Sequence, residues 1–158
     1  DEPVKQGGHR VAYLRAVVGR LRGTAPTKAF AVDAHFDSTP YSKGAADDIS
    51  GIAAMLESAR ALKAGPPLKN DVLFVFADQE EVFGGGAQAF MRHPLFKEVG
   101  VMLGLETRGV CGPALMFETS NENGWLIREL ARSGDNVRAN SMMFSIYNRL
   151  PFESDFNQ

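Results

Sequence analysis

Asp71-Val72-Leu73-Phe74-Val75-Phe76-Ala77, followed directly by Asp78-Gln79-Glu80-Glu81, is the stretch on which the fold class turns. An apolar run of strand length with no polar alternation is the pattern of a strand covered on both faces, as in a parallel sheet. In open α/β sheets, sites form beyond the carboxyl ends of such strands. Glu80 and Glu81 therefore stand where a site belongs.

Outward from this strand the same pattern recurs. Ala29-Phe30-Ala31-Val32-Asp33-Ala34 is a short apolar strand ending at His35-Phe36-Asp37, and Val101-Met102-Leu103-Gly104-Leu105 ends at Glu106. Between the first two strands, Asp47-Asp48 opens a helix in which Ile49, Ile52, Ala53, Leu56 and Ala59 recur at helical spacing up to about Leu62. Gly65-Pro66-Pro67 stops it. Gly84-Gly85-Gly86 turns the chain into a short helix around Ala87 to Met91. Asp1 to Gly8 reads as polar and loose, Val11 to Leu21 as one strand, Ala114-Leu115-Met116-Phe117 as another, and Trp125 to Ala131 as a helix. This alternation predicts an α/β sandwich with a mostly parallel central sheet, a single domain over residues 1–158. If the three apolar strands run parallel, His35, Glu80-Glu81 and Glu106 converge.

Composition narrows the function classes. Hydrophobic content of 44% and charged content of 23% are those of a globular protein able to bury a core. A formal net charge of −2 gives no reason to expect nucleic acid or an anionic membrane surface as partner. Cys111 is the only cysteine, so no intrachain disulfide forms. The sequence given holds no signal peptide or membrane-spanning run, and its start at Asp1 without methionine reads as a processed or recombinantly trimmed chain from which an upstream segment could have been removed.

One histidine and several carboxylates at strand ends are hard and borderline metal ligands. Zinc accepts histidine nitrogen and carboxylate oxygen, so His35, Asp47, Glu81 and Glu106 are candidate ligands. Asp37, at i+2 from His35 on extended chain, points the same way and is placed to orient the imidazole. Two ions about 3.5–4 Å apart would need a bridging carboxylate, for which Asp47 is placed. Adjacent Glu80 and Glu81 suit a division in which one binds metal and the other serves as general base for water. That is hydrolytic chemistry.

The blocks Ala34-His35-Phe36-Asp37-Ser38, Gly44-Ala45-Ala46-Asp47-Asp48-Ile49-Ser50-Gly51, Glu80-Glu81 and Leu105-Glu106 resemble the signatures of the co-catalytic zinc aminopeptidases. Relatives of glutamate carboxypeptidase and of the transferrin-receptor ectodomain belong to the same group. The resemblance is collinear from about Val17 to Phe156. It implies a three-layer zinc-exopeptidase-like sandwich with a mixed, mostly parallel sheet, and a peptide as substrate. By residue, it implies His35 and Glu106 on one zinc, Glu81 on a second, Asp47 bridging both, Glu80 as general base, Asp37 behind His35 and Asp48 in support. It also implies a secreted, periplasmic or membrane-tethered setting rather than the cytoplasm.

The family completes its second zinc with a histidine downstream of a segment that Leu150-Pro151-Phe152-Glu153-Ser154-Asp155-Phe156 resembles, and no histidine follows here. The expectation is a domain whose C-terminal part is missing, with one well-formed zinc site. Two alternatives stand beside the aminopeptidase: a non-catalytic peptidase-like binding or scaffold domain, and a glutaminyl-cyclase-like enzyme with a single zinc. Plainer readings suit other residues. Asp47-Asp48 also caps a helix, Gly84-Gly85-Gly86 lacks the lysine of a phosphate loop, His9 and His93 read as surface residues, Trp125, Met142 and Met143 as packing, and Cys111 as an idle thiol.

Overall fold

A computed structural model describes residues 2–6, 10–106, 113, 115–134, 137–140, 142, 145–146 and 149. His9, Cys111, Met143 and the segment 150–156 lie outside them. The chain divides into two compact units, Asp1–Gly109 and Val110–Asn157.

The first unit is a three-layer α/β sandwich. Its elements are β1 (Glu2–Gln6), β2 (Arg10–Leu14), β3 (Ala16–Leu21), β4 (Ala29–His35), α1 (Ile49–Ala64), β5 (Val72–Ala77), α2 (Glu80–Phe83), α3 (Gly85–Arg92), a 3-10 turn (Pro94–Glu98) and β6 (Val99–Gly104). The central sheet runs β3-β5-β4-β6. Strands β5 and β6 both lie parallel to β4, and β3 adds an antiparallel edge against β5. The sheet is thus mixed and mostly parallel.

Alternate residues of β5 serve opposite faces. Leu73 and Val75 pack with Ala29, Ala31 and Phe90 of α3, while Val72 and Phe74 pack with Ala34 and Met55 of α1. Burial on both sides is why β5 reads as a continuous apolar run. Phe90 also meets Phe96 edge-to-face, with ring centroids 5.7 Å apart. The approach of α3 to the sheet requires glycine at 86, where a Cβ would lie 2.6 Å from both the Ala77 Cβ and the Asp78 backbone nitrogen.

At the end of the sheet where β5 and β6 begin, Asp71 forms a brace. Its carboxylate accepts the Gly23 N–H at 2.7 Å and the Arg20 Nε–H at 2.6 Å, and Arg20 reaches on to Glu98 at 2.8 Å. The Gly23 N–H, then the Arg20 guanidinium, hold the Asp71 carboxyl below the usual carboxylate range.

Three local expectations differ from the structure in this first unit. The polar residues 2–6 form β1, because antiparallel pairing with β2 satisfies the backbone without an apolar pattern. The single strand expected from Val11 to Leu21 is two strands broken at Arg15, whose carbonyl accepts the Asp78 N–H at 3.1 Å. Glu80-Glu81 do not merely trail β5 but open the short helix α2, which has no apolar periodicity to announce it.

In the second unit, β7 (Leu115–Met116) pairs parallel with β8 (Arg138–Ala139), and α4 spans Gly124–Ser133. Leu126, Ile127 and Leu130 form its half-buried stripe. Trp125, one position off that stripe, is exposed, as is Met142; neither is the packing residue that its apolarity suggests.

Candidate metal centre

The order of connections sets the site. From β4 the chain leaves to α1 on one face, and from β5 it leaves to α3 on the other, crossing β4 to reach β6. Diverging connections open a crevice beyond the carboxyl ends of adjacent parallel strands. His35 is the last residue of β4 and pairs in register with Ala77, the last residue of β5. On the other side, the Leu105 N–H donates to the Asp33 carbonyl at 2.8 Å and carries Glu106 to the same end.

The His35 side chain is 1% exposed. Its Nδ1 lies 3.1 Å from the Asp37 carbonyl oxygen. With Nδ1–H donating there, Nε2 presents a lone pair. That Nε2 is buried without a hydrogen bond, and so is Oδ1 of Asp47, 3.3 Å away. Two facing acceptors are unfavourable unless a cation lies between them. Their spacing matches the edge of a tetrahedral zinc shell, roughly 3.3–3.4 Å for bonds near 2.0–2.1 Å. The residues present therefore fit a zinc ion.

Two donor sets gather here, each with ligand atoms within 4.8 Å of one another: His35, Asp47 and Glu81, and His35, Glu80 and Glu106. All of the carboxylates named from the sequence as ligands or base thus fall around one imidazole. The grouping differs from the division that the resemblance implies, because both glutamates of α2's first turn reach toward His35.

Asp37 explains why they do. Its Oδ1 accepts the Glu80 N–H at 3.0 Å and its Oδ2 accepts the Glu81 N–H at 3.3 Å, while Oδ1 stands 3.5 Å from His35 Nδ1. A carboxylate at a helix N-terminus satisfies orphan donors, so Asp37 pins α2 to the end of β4. Gln79, just before α2, holds a left-handed φ of 62°, and its Nε2 donates to the Tyr13 carbonyl at 2.9 Å. On the other flank, Asp48 is the N-cap of α1 and accepts the Gly51 N–H at 3.2 Å and the His35 N–H at 3.3 Å. Sequence reading named Asp37 and Asp48 as supports but missed these backbone partners. Gln79 carried no signal at all.

Crowded carboxylates shift one another. Burial, then the charges of Glu80 and Asp47, push the Glu106 carboxyl up to about 8, and burial followed by Asp47 raises Glu81. Burial alone would lower the His35 pKa, but Glu80, Glu106, Asp48 and Asp37 together raise it. The cluster is electrostatically unsatisfied in the way a cation relieves.

Comparison with known proteins agrees with this chemistry. The profile of peptidase family M28 matches residues 16–158. The chain is 32% identical over 132 residues to endoplasmic reticulum metallopeptidase 1 of Mus musculus, covering 81% of this chain and 15% of that protein. It is 40% identical over 99 residues to the vacuolar membrane protease of Candida dubliniensis, covering 62% of this chain and 11% of that one. Among solved structures, the Bacillus subtilis zinc aminopeptidase BSAP superposes with a TM-score of 0.64 at 25% identity, covering 79% of this chain and 34% of that chain. The Porphyromonas gingivalis glutaminyl cyclase superposes at 0.67 with 22% identity over 98% of this chain and 61% of that one, a likeness of fold alone. The chain thus spans only a small part of its curated relatives. No helix among the described residues is long and apolar enough to cross a membrane.

Proposed function

Because the chain belongs to peptidase family M28, we propose that His35, Asp47, Glu81 and Glu106 are the zinc ligands of an exopeptidase that removes amino-terminal residues from peptides. The observation that carries this reading is the pair of buried atoms without a hydrogen bond, His35 Nε2 and Asp47 Oδ1, 3.3 Å apart. A zinc-aminopeptidase neighbour of the same fold supports it.

Both donor sets draw on the one imidazole, and Nδ1 is engaged by Asp37. A single nitrogen serves one ion, so the described residues supply one well-held zinc with a histidine ligand. A second ion would rest on carboxylates, with Asp47 as the bridge. When bound, zinc polarises a scissile carbonyl and makes water a competent nucleophile near neutral pH.

The chain's own residues do the rest. Glu80, whose Oε2 lies 4.0 Å from His35 Nε2, takes the proton from the attacking water and returns it to the departing amine. Asp37 fixes where that carboxylate starts, through the Glu80 N–H, and holds the His35 ring with Nε2 toward Asp47, where it would serve as a zinc ligand. The crevice between the ends of β4 and β5 takes the peptide. Relatives named for the vacuolar membrane and the endoplasmic reticulum support a setting outside the cytoplasm.

The test combines zinc counting with turnover. Metal-free protein is reloaded, zinc per chain is measured, and a panel of aminoacyl chromogenic substrates is assayed with and without chelator. About one tightly held zinc and chelator-sensitive release of the chromogen are expected. Zinc bound without turnover of any substrate would favour the scaffold reading, and ammonia release from N-terminal glutaminyl peptides would favour the cyclase. Absence of zinc binding would end the metal reading altogether.

A further inference from the structure

The Asp48 carboxylate is fully buried beside the cluster yet belongs to neither donor set. One oxygen accepts the backbone N–H of His35 at 3.3 Å, and the other accepts the N–H of Gly51 at 3.2 Å. These two amides lie on different elements, the last residue of β4 and the first turn of α1. Asp47, the other half of the facing pair, is the neighbouring residue on the connection between them. The carboxylate therefore ties together the three backbone points that set how far His35 stands from Asp47.

Gly51 bears this out independently. A Cβ there would lie 2.5 Å from Oδ1, 2.7 Å from Oδ2 and 2.8 Å from Cγ of Asp48. In a helix interior glycine is less favourable than alanine by about 1 kcal/mol, so propensity gives no reason for glycine in α1. Its presence there leaves room for the Asp48 carboxylate. The geometry points to Asp48 as a positioning residue: a clamp, closed only because residue 51 is glycine, that sets the spacing of His35 and Asp47 and so the affinity of the site for zinc. The inference rests on the zinc-peptidase reading above and adds to it a residue that touches neither metal nor peptide.

A helix cap alone would stabilise α1 without changing the metal. The two roles separate in binding measurements on the intact chain. Zinc affinity is measured by competition with a chromogenic chelator, alongside thermal unfolding of the metal-free form and the visible spectrum of the cobalt(II)-loaded form. Asp48→Asn keeps the shape but turns one acceptor into a donor facing an N–H. Gly51→Ala keeps the carboxylate and its charge but displaces it. Met55→Ala loosens α1 at a buried site away from the clamp.

Asp48→Asn and Gly51→Ala are expected to weaken zinc about ten- to a hundredfold and to shift the cobalt bands, whereas Met55→Ala lowers thermal stability and leaves zinc affinity unchanged. Should Asp48→Asn fail to fold, Gly51→Ala decides alone. Wild-type affinity in the folded clamp variants overturns the inference, as does an equal loss in Met55→Ala. Both outcomes leave the zinc reading intact, whereas a wild-type chain that takes no zinc defeats the two together.

Discussion

Replacing Gly86 with alanine tests how closely the crevice end of the sheet depends on the seating of α3. The new Cβ would lie 2.6 Å from the Ala77 Cβ, 2.6 Å from the Asp78 nitrogen and 2.7 Å from the Ala77 Cα, where ordinary contact begins near 3.4 Å. Two of these are backbone atoms of β5 and its continuation, so a side-chain rotation cannot relieve them. The helix must back away by about 0.8 Å. Overpacking of this kind costs about 1–3 kcal/mol, and alanine's better helix propensity offsets up to about 1 kcal/mol. A net loss of about 1–2 kcal/mol lowers Tm by roughly 2–8 °C in a chain of this size.

The same displacement reaches the site, because Gly84 ends α2 and begins α3. Moving Glu80 and Glu81 by most of an ångström should reduce turnover by up to about a hundredfold and weaken zinc as well. Thermal unfolding and chelator competition measure the two effects. Gly134→Ala is the control, since nothing lies within 4 Å of that position and its φ of 169° is extended backbone; its unfolding free energy should stay within about 0.5 kcal/mol of wild type. A Gly86→Ala chain with wild-type Tm and zinc affinity would refute the packing argument and the coupling built on it.

Glu80→Gln should retain zinc within a few-fold while kcat falls about 10²–10⁴-fold, and a wild-type kcat would remove Glu80 as the base. His35→Ala takes the shared nitrogen from both donor sets and should leave no tightly held zinc by metal analysis. In the metal-free chain the Glu106 pKa of about 8 lies above its unfolded value near 4.5. The folded state therefore holds the extra proton, and this contribution to stability is present below about pH 4.5 and lost as pH rises through about 8. Urea unfolding across that window should show the decline, Glu106→Gln should flatten it, and saturating zinc should reverse it. Phe90→Ala, at the centre of the α3 face, should cost about 3–5 kcal/mol by urea unfolding.

Much of this was legible because it is local. The apolar run at 72–77, the helical recurrence from Ile49 and the acids at strand ends each announce themselves within a few residues, and the parallel sheet follows from them. What stayed hidden depends on partners far along the chain. Asp37 is legible as a neighbour of His35, but its grip on the Glu80 and Glu81 amides spans more than forty residues and engages backbone, which has no sequence signature. β1 is held by pairing rather than by an apolar pattern. Gln79 shows how an unremarkable residue takes a left-handed turn when a distant carbonyl, that of Tyr13, receives its side chain.

The Asp71 brace has a consequence for anyone wishing to alter this protein. It fastens β3, β5 and the approach to β6 at the pole opposite the crevice, so persistence of the fold and tuning of the chemistry are vested in different ends of the same strands. The fastened end keeps the strands in register independently of what is done at the crevice. An engineer can use that independence: hardening Arg20, Glu98 and their surroundings raises tolerance to heat, and the stability so gained can be spent on bolder substitutions around His35.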